Sequence, residues 1–181
     1  MKIISGKYKG RVLEGYTIDG TRPTMERVKE SVFAILQNKM PNSIVLDLFT
    51  GSGNLGIESL SQGAKEAYLV DLSSTAISTV EKNLKKIGIR EAHVLKMDYL
   101  DALRYFWKEK IQFDLIFLDP PYQSDYILNS LEKIEEYNLV KDNGMVICET
   151  DQSLSYDKLS SLVVVKEKKY GGKFVVFLEK V

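Results

Sequence analysis

Apolar runs and helical patterns alternate along most of this chain. Short runs made almost only of apolar residues are typical of parallel strands that are covered on both faces. They predict five strands, at residues 44–49, 66–71, 92–96, 114–119 and 144–149. Between these runs, apolar residues recur at the spacing of one helix face. These segments predict four helices, at residues 55–62, 73–87, 99–108 and 126–137. The alternation predicts an α/β fold with a mostly parallel sheet.

The two ends of the chain depart from this alternation. Apolar pairs separated by glycines predict an N-terminal β-hairpin over residues 3–18. A helix to about Gln37 is predicted next, with Thr24 as its N-cap. Near the C-terminus, apolar residues on both sides of the turn at 170–172 predict an antiparallel hairpin. The predicted organisation is an N-terminal extension, residues 1–41, and a main domain, residues 42–181.

A glycine-rich turn follows the first predicted strand. Gly51, Gly53 and Gly56 have the spacing of a dinucleotide-binding loop, and Asp71 lies 20 residues after Gly51, where a ribose-binding acid is expected. This pattern alone does not choose between NAD and S-adenosylmethionine. Asp47, four residues before the first glycine, would repel a pyrophosphate and attract the ammonium of a methionine moiety.

Acidic residues also follow the next strands. Because the carboxyl ends of parallel strands meet at one edge of a sheet, we expect Asp47, Asp71 and Asp98 to line one cleft. Asp71 would accept hydrogen bonds from both ribose hydroxyls, and Asp98 would face the adenine amino group. The alternative is that each carboxylate only caps the helix that follows it.

The fourth predicted strand ends at Asp119-Pro120-Pro121-Tyr122. Consecutive prolines fix an extended turn, which would aim the Asp119 carboxylate and the Pro120 carbonyl into the cleft as acceptors. The Tyr122 ring would stack on a base that has been extruded from its helix. This arrangement suits an exocyclic amine on a planar base, and with the glycine loop it favours a methyl donor over NAD. The alternative is a rigid turn beside a core tyrosine.

Composition and charge narrow the classes further. The 181 residues suffice for one domain, no apolar run could span a membrane, and no signal peptide is visible, so we expect a cytoplasmic protein. A single His93 and a single Cys148, the latter in a buried strand, predict no metal site. A monomer is the default expectation.

Net charge is zero, but it is unevenly distributed. Residues 1–31 hold seven basic and four acidic side chains, so this part carries +3 and the remainder −3. A basic segment that includes Tyr8 is consistent with RNA contact, and an ordinary solvated hairpin is the alternative.

The motifs together resemble a known family. The Asp-Pro-Pro-Tyr tetrapeptide is similar to that of amino-group methyltransferases. Three further motifs are Ile3-Ile4-Ser5-Gly6 with Lys9-Gly10-Arg11, Arg22-Pro23-Thr24-x-x-Arg27-Val28-Lys29-Glu30, and Leu48-Phe49-Thr50-Gly51-Ser52-Gly53-x-Leu55-Gly56. This set resembles the RsmD family of bacterial enzymes, which methylate N2 of one guanine in small-subunit (16S) ribosomal RNA. The resemblance covers about residues 3–125 by motif and the whole chain by the order of its elements.

The resemblance implies a class I methyltransferase (Rossmann-like) fold, with S-adenosylmethionine as cofactor and ribosomal RNA or the small subunit as partner. It implies that residues 1–41 contact RNA and that 42–181 form the catalytic domain. The implied catalytic residues are Asp119, Pro120, Pro121 and Tyr122. The implied cofactor-binding residues are Asp47, Phe49, Thr50, Gly51, Ser52, Gly53, Asp71, Leu72, Asp98 and Tyr99. The implied RNA-binding residues are Lys7, Lys9, Arg11, Arg22, Thr24 and Arg27.

Some points stay open at this level. Lys9 and Lys29 stand where the family usually has arginine, which would weaken bidentate phosphate contacts without changing the chemistry. The same cleft residues also fit an adenine-N6 methyltransferase acting on RNA or DNA. An NAD-dependent oxidoreductase and a non-catalytic RNA-binding module are the alternatives from other classes.

Overall fold

The computed structural model describes residues 1–15, 22–121 and 124–181, and for residues 22–24 and 124 it describes the backbone alone. The predicted stacking residue Tyr122 therefore lies outside the described residues. The helices are α1 (Arg22–Ile35), α2 (Asn54–Ser61), α3 (Ser74–Ile87), α4 (Tyr99–Lys108) and α5 (Ser124–Glu136). The strands are β1 (Ile44–Asp47), β2 (Glu66–Asp71), β3 (Ala92–Lys96), β4 (Phe113–Leu118), β5 (Val140–Thr150), β6 (Leu162–Tyr170) and β7 (Lys173–Lys180).

The seven strands form one sheet in the order β3-β2-β1-β4-β5-β7-β6. Strands β1 to β5 pair in parallel, and β7 pairs antiparallel with both β5 and β6. The predicted α/β fold with an antiparallel C-terminal hairpin is confirmed. Most bounds agree within two residues. Strand β5 begins four residues earlier than predicted because Val140 pairs with Phe113 before the register shifts, and α1 begins at Arg22, ahead of the predicted N-cap Thr24.

Helices cover both faces of the sheet. Helices α1, α2 and α3 pack on one face, and α4 and α5 pack on the other, each around its own cluster of buried apolar residues. Neighbouring residues on a strand alternate between the two clusters, so Leu69 belongs to the first and Val70 to the second. Gly56 allows α2 to lie close to the sheet, since a Cβ there would be 2.2 Å from Leu69 Cδ2.

The N-terminal hairpin was predicted over residues 3–18, of which residues 16–18 lie outside the described residues. Within residues 1–15, an isolated antiparallel bridge joins Lys2 to Val12, and the Ile3 amide donates to the Arg11 carbonyl at 2.9 Å. Ile3 and Leu13 are buried against α1, α2 and α3, so the segment shares the core of the sheet. The division between residues 41 and 42 stays a prediction.

Two further observations concern the described part of the chain. None of its helices has the length and apolar character that crossing a membrane requires. Cys148 is fully buried on β5, as predicted, and burial raises the pKa of its thiol.

Candidate active site

The glycine loop lies where the strand order reverses. Strand β1 is paired with β2 on one side and with β4 on the other. Strands β2 and β3 therefore lie on one side of β1, and β4 to β7 lie on the other side. Open α/β sheets bind ligands outside the carboxyl ends of the strands at such a point. The loop that follows β1 and the turn that follows β4 are therefore neighbours on the same edge, as the sequence predicted.

Asp47 holds the glycine loop against the start of α2. The carboxylate is 1% exposed, and its Oδ2 accepts hydrogen bonds from Thr50 Oγ1 at 2.7 Å and from the Gly56 amide at 3.0 Å. Burial raises the pKa of Asp47 to about 6, against the effect of these two bonds, and the charge of Asp71 adds to the rise. Within the described chain, Asp47 Oδ1 has no hydrogen-bond partner. A buried acceptor without a donor is costly, so a cationic donor would be stabilised there.

Asp71 supports the loop from the end of β2. Its Oδ2 accepts a hydrogen bond from the Gly51 amide and its Oδ1 one from the Ser73 amide, both at 2.9 Å. Gly51 has φ of +57°, and a Cβ there would meet nothing within 4 Å, so space remains beside the loop. Ser52 lies on the opposite side of the loop, where its carbonyl accepts a hydrogen bond from Asn83. Gly53 begins α2 in a left-handed conformation without a side-chain cap.

Asp98 acts as a helix cap. Its side chain accepts a hydrogen bond from the Leu100 amide at 3.0 Å and forms the N-cap of α4. The capping alternative therefore describes Asp98 in this structure, and its predicted contact with adenine stays a prediction. Asp71 does not cap α3 in this way, because Ser73 is the N-cap and accepts from the Ala76 amide.

Aromatic and apolar side chains stand at the same edge. Phe49, Tyr99 and Tyr126 form a cluster with ring centroids 5.1 to 5.8 Å apart. Leu72, directly after Asp71, is 64% exposed. A flat apolar ligand could lie against such a surface. Tyr126, on α5, is a member of this cluster that the sequence did not predict.

The Asp119-Pro120-Pro121 turn leaves β4 beside the glycine loop. Asp119 is exposed at the carboxyl end of β4. Desolvation by neighbouring protein atoms raises the pKa of Asp119 above its ordinary value, repulsion from Glu149 raises it further, and Asp47 adds a smaller effect. Lys173 acts in the opposite direction. The structure thus brings Asp119 close to two charged residues that sequence reasoning missed, Glu149 and Lys173.

The predicted RNA contacts fall into two groups. Lys7, Lys9 and Arg11, here called the N-terminal basic set, are all exposed. The Lys7 amide donates to the carbonyl of Ser61, the last residue of α2, so the set lies away from the glycine loop. Arg27 is exposed on α1, whereas the side chains of Arg22 and Thr24 lie outside the description.

The position of Lys29 shows that one interpretation of the sequence is wrong. The sequence suggested that Lys29 stands in place of an arginine that contacts phosphate. In the structure Lys29 is 2% exposed, and its Nζ lies 2.8 Å from Oε1 of the fully buried Glu58. Burial lowers the pKa of Lys29, and the charge of Glu58 opposes this. Glu58 also accepts hydrogen bonds from the amides of Ile4 and Ser5. Lys29 of α1 also donates to the Lys2 carbonyl at 2.9 Å, so the buried Lys29–Glu58 pair attaches residues 2–5 to α2, and Lys29 is not available to an RNA phosphate.

Asn83 makes a second attachment. It is fully buried on α3, its Oδ1 accepts from the Glu14 amide at 2.8 Å, and its Nδ2 donates to the carbonyls of Glu14 and Ser52. A Cβ on Gly15 would lie 2.7 Å from Ser52 Cβ. The N-terminal segment and the glycine loop are thus in direct contact.

The reversal of strand order at β1, the glycine loop there and the Asp-Pro-Pro turn beside it define a class I methyltransferase. Solved structures agree. The Escherichia coli methyltransferase yhhF matches with a TM-score of 0.86 and 25% identity, over 99% of this chain and 97% of that chain. The Thermus thermophilus 16S rRNA N2 methyltransferase RsmC, solved with AdoMet and guanosine, has a TM-score of 0.68 and 20% identity, over 96% of this chain and 46% of that chain. At that identity the second match shows the fold alone.

The family model described as "Conserved hypothetical protein 95" matches residues 1–179. The chain is 34% identical to ribosomal RNA small subunit methyltransferase D of Haemophilus influenzae, over 94% of this chain and 89% of that protein. It is 38% identical to YlbH of Bacillus subtilis, over 94% of both. The chain belongs to this family, which is the RsmD family that its motifs resemble. Membership of this family argues against the alternative that the chain is an NAD-dependent oxidoreductase.

One of the missed residues, Glu149, could have been predicted by looking for an acidic residue at the carboxyl end of every predicted strand. Glu149 follows the buried apolar run of β5, as Asp47, Asp71 and Asp119 follow theirs. Lys173, Asn83 and the partners of Lys29 had no comparable signal, because their contacts are formed between segments far apart in the chain.

Proposed function

We propose that this protein transfers a methyl group from S-adenosylmethionine to the exocyclic N2 amine of a guanine in small-subunit ribosomal RNA. The observation that carries the proposal is the position of the Asp119-Pro120 turn beside the glycine loop, on adjacent strands β4 and β1. Relatives named ribosomal RNA small subunit methyltransferase D, including one 34% identical over 94% of this chain, support ribosomal RNA as the substrate.

The residues around the glycine loop fit S-adenosylmethionine. The partnerless Oδ1 of Asp47 is a buried anionic acceptor suited to an ammonium group, and the surroundings of Gly51 leave room for a ligand next to the backbone. Asp71 would bind the ribose hydroxyls, and Leu72 with Phe49 and Tyr99 would contact the adenine. S-adenosylmethionine supplies a methyl group on a positively charged sulfur, which leaves as neutral S-adenosylhomocysteine.

On the substrate side, the Asp119 carboxylate and the Pro120 carbonyl would accept hydrogen bonds from the two N–H groups of the amine. These contacts orient the nitrogen lone pair toward the methyl group, and the Tyr122 ring would hold the extruded guanine by stacking. We propose direct transfer from the methyl donor to the amine without a covalent enzyme intermediate; Cys148 is fully buried and would not serve as a nucleophile. The protein therefore contributes orientation and electrostatic stabilisation.

The proposal assigns RNA contact to residues 1–41 and catalysis to residues 42–181. The N-terminal basic set and Arg27 would contact phosphates, which steer and position RNA without reading its sequence. Arg22 and Thr24 would belong to the same surface. The cytoplasmic location and the monomeric state stay predictions.

The experiment uses the purified protein, tritiated S-adenosylmethionine and small ribosomal subunits from a strain that lacks the gene. Label recovered in N2-methylguanosine after digestion to nucleosides is the expected result. Asp119→Ala should abolish the label while S-adenosylhomocysteine still binds. Asp142→Ala is the matched control, because the Asp142 side chain is 94% exposed at the amino end of β5. Label in N6-methyladenosine would favour the adenine alternative, and RNA binding without any label would favour the non-catalytic module.

A further inference from the structure

Two carboxylates stand side by side at the carboxyl edge of the sheet. Strands β4 and β5 are parallel, and their last aligned pair is Leu118 with Cys148. The next residues of the two strands are Asp119 and Glu149, so their carboxyl groups lie at neighbouring positions on this edge, and the Glu149 charge raises the pKa of Asp119. The Glu149 side chain is 20% exposed, so it is partly enclosed.

Lys173 completes the cluster from a third strand. It is the first residue of β7, which pairs antiparallel with β5, and its Nζ lies 3.2 Å from Glu149 Oε1. The charged groups that act on Asp119 are Glu149, Lys173 and, more weakly, Asp47, while Asp151 faces Lys173. When Asp119, Glu149 and Lys173 are all ionised, the three side chains carry a net charge of −1.

The charges in this cluster influence one another. Desolvation and the Glu149 charge raise the pKa of Asp119, and Lys173 opposes them. Burial would lower the pKa of Lys173, but the two carboxylates outweigh it and the net direction is upward. A carboxyl group with a raised pKa, next to a second carboxyl group, is a better proton acceptor than an ordinary carboxylate.

We propose that Glu149 and Lys173 are positioning residues for methyl transfer: Glu149 shares with Asp119 the proton that leaves the methylated amine, and Lys173 fixes the place of Glu149. This inference rests on the proposed function. In the reaction the amine nitrogen gains a bond to the methyl carbon, and the electron pair of the broken carbon–sulfur bond stays on sulfur. The nitrogen is then positively charged and loses one N–H proton. That proton passes to Asp119, is shared with Glu149, and leaves to water.

The test compares Glu149→Gln and Lys173→Gln by two measurements. The first is the pH dependence of methyl transfer to small subunits lacking the modification. The second is a carbon-13 NMR titration of the side-chain carboxyl groups in the protein alone, with Asp119 assigned through Asp119→Asn. Lys141→Gln is the matched control, since Lys141 pairs with Asp114 at 3.5 Å across the same two strands at the opposite edge of the sheet.

Opposite shifts are expected. Removing the Glu149 charge should lower the Asp119 pKa and move the acid limb of the pH–rate profile down by about 0.5 to 1 pH unit, and removing the Lys173 charge should move it up by a similar amount. Lys173→Arg should keep the wild-type limb, and so should the Lys141 control. A purely structural role would change rate or melting temperature without opposite shifts.

The two measurements separate the two proposals. If N2-methylguanosine forms and neither limb moves, the positioning role is wrong and the proposed function stands. If no methyl transfer occurs at all, the proposed function fails, and the NMR titration still decides whether the three side chains are coupled. Unchanged Asp119 titration in both variants would overturn the inference. Should Glu149→Gln not fold, Glu149→Asp replaces it; the shorter side chain moves the charge away from Asp119, so a smaller downward shift of the Asp119 pKa is expected, and an unchanged pKa would overturn the inference.

Discussion

We predict that Asp47 makes the affinity for the cofactor depend on pH. Its carboxylate is 1% exposed, one oxygen is bonded within the loop, and the other has no partner among the described residues. Burial raises its pKa to about 6, two hydrogen bonds oppose this, and the Asp71 charge adds to it. If the ammonium of the methionine moiety pairs with Asp47, binding requires the ionised form.

The magnitude follows from one titrating group. One pH unit below a pKa of about 6, roughly nine-tenths of Asp47 is protonated. The affinity for S-adenosylhomocysteine should therefore fall about tenfold between pH 7 and pH 5, which corresponds to about 1.4 kcal/mol. Asp47→Asn removes the charge and should weaken binding by roughly 1.5–3 kcal/mol, the range of hydrogen bonds to charged groups. Its affinity should no longer change with pH in this window.

Calorimetric titration of S-adenosylhomocysteine between about pH 5 and 7 measures both effects. Asp119→Asn is the control, because Asp119 also has a raised pKa but is assigned to the substrate side. It should keep the wild-type slope. A wild-type affinity that does not change over this range, or an Asp47→Asn protein that keeps the slope, would refute the assignment of Asp47 to the ammonium.

The same shift has an effect on stability without ligand. Because the pKa of Asp47 in the folded state is above its unfolded value, the folded protein binds the proton more tightly, and stability is lost as pH rises from about 4 to about 6. A rise of about two units corresponds to at most about 3 kcal/mol. Ligand-free Asp47→Asn should thus melt at a higher temperature than wild type at pH 7. The gain is reduced because an amide oxygen is a weaker acceptor than a carboxylate. The two melting temperatures should converge near pH 4. Binding and stability would then change in opposite directions at one residue.

Three further predictions concern packing and RNA contact. Gly56→Ala should cost about 1–3 kcal/mol of unfolding free energy, because its Cβ would clash with Leu69, whereas Gly172→Ala, with nothing within 4 Å, should leave the denaturant midpoint unchanged. Glu58→Gln should cost about 3–5 kcal/mol because it leaves Lys29 buried without its ion partner, and an unchanged midpoint would contradict the attachment of the N-terminal segment. Glutamine at all three positions of the N-terminal basic set should reduce the slope of log affinity for RNA against log salt by about 2 to 3, with cofactor affinity unchanged; an unaltered slope would remove the set from the RNA surface.

The centre of the sheet could be predicted because strands β1, β4 and β5 contain runs of buried apolar residues. Strands β2 and β3 were predicted to the residue, although β3 lies at the edge of the sheet and its residues are half-buried or exposed. The strand-end acids followed from the same pattern, since parallel strands place their carboxyl ends at one edge. The early start of β5 could not be predicted in this way, because the polar residues after Val140 conceal a pairing that depends on Phe113.

Tertiary contacts account for what the sequence did not predict. Lys29 lies in a basic segment, and only the fold reveals that its neighbour is the buried Glu58. Glu149 and Lys173 lie in different strands, and their approach to Asp119 depends on the order β4-β5-β7. A sequence pattern indicates which residues point to one edge of the sheet. It does not indicate which strands become neighbours there.

The attachments of the N-terminal segment bear on how the enzyme would use RNA binding. Lys29 and Glu58 join the segment to α2, and Asn83 joins it to the glycine loop. Helix α2 rises about 1.5 Å per residue, so its two ends lie about 10 Å apart, and the N-terminal basic set lies beside the end far from the loop. Phosphates bound there would belong to nucleotides beyond the target base. Because the segment and the loop are connected by buried polar contacts, those phosphates would fix the RNA relative to the methyl donor, and orientation would be supplied by binding energy remote from the reaction.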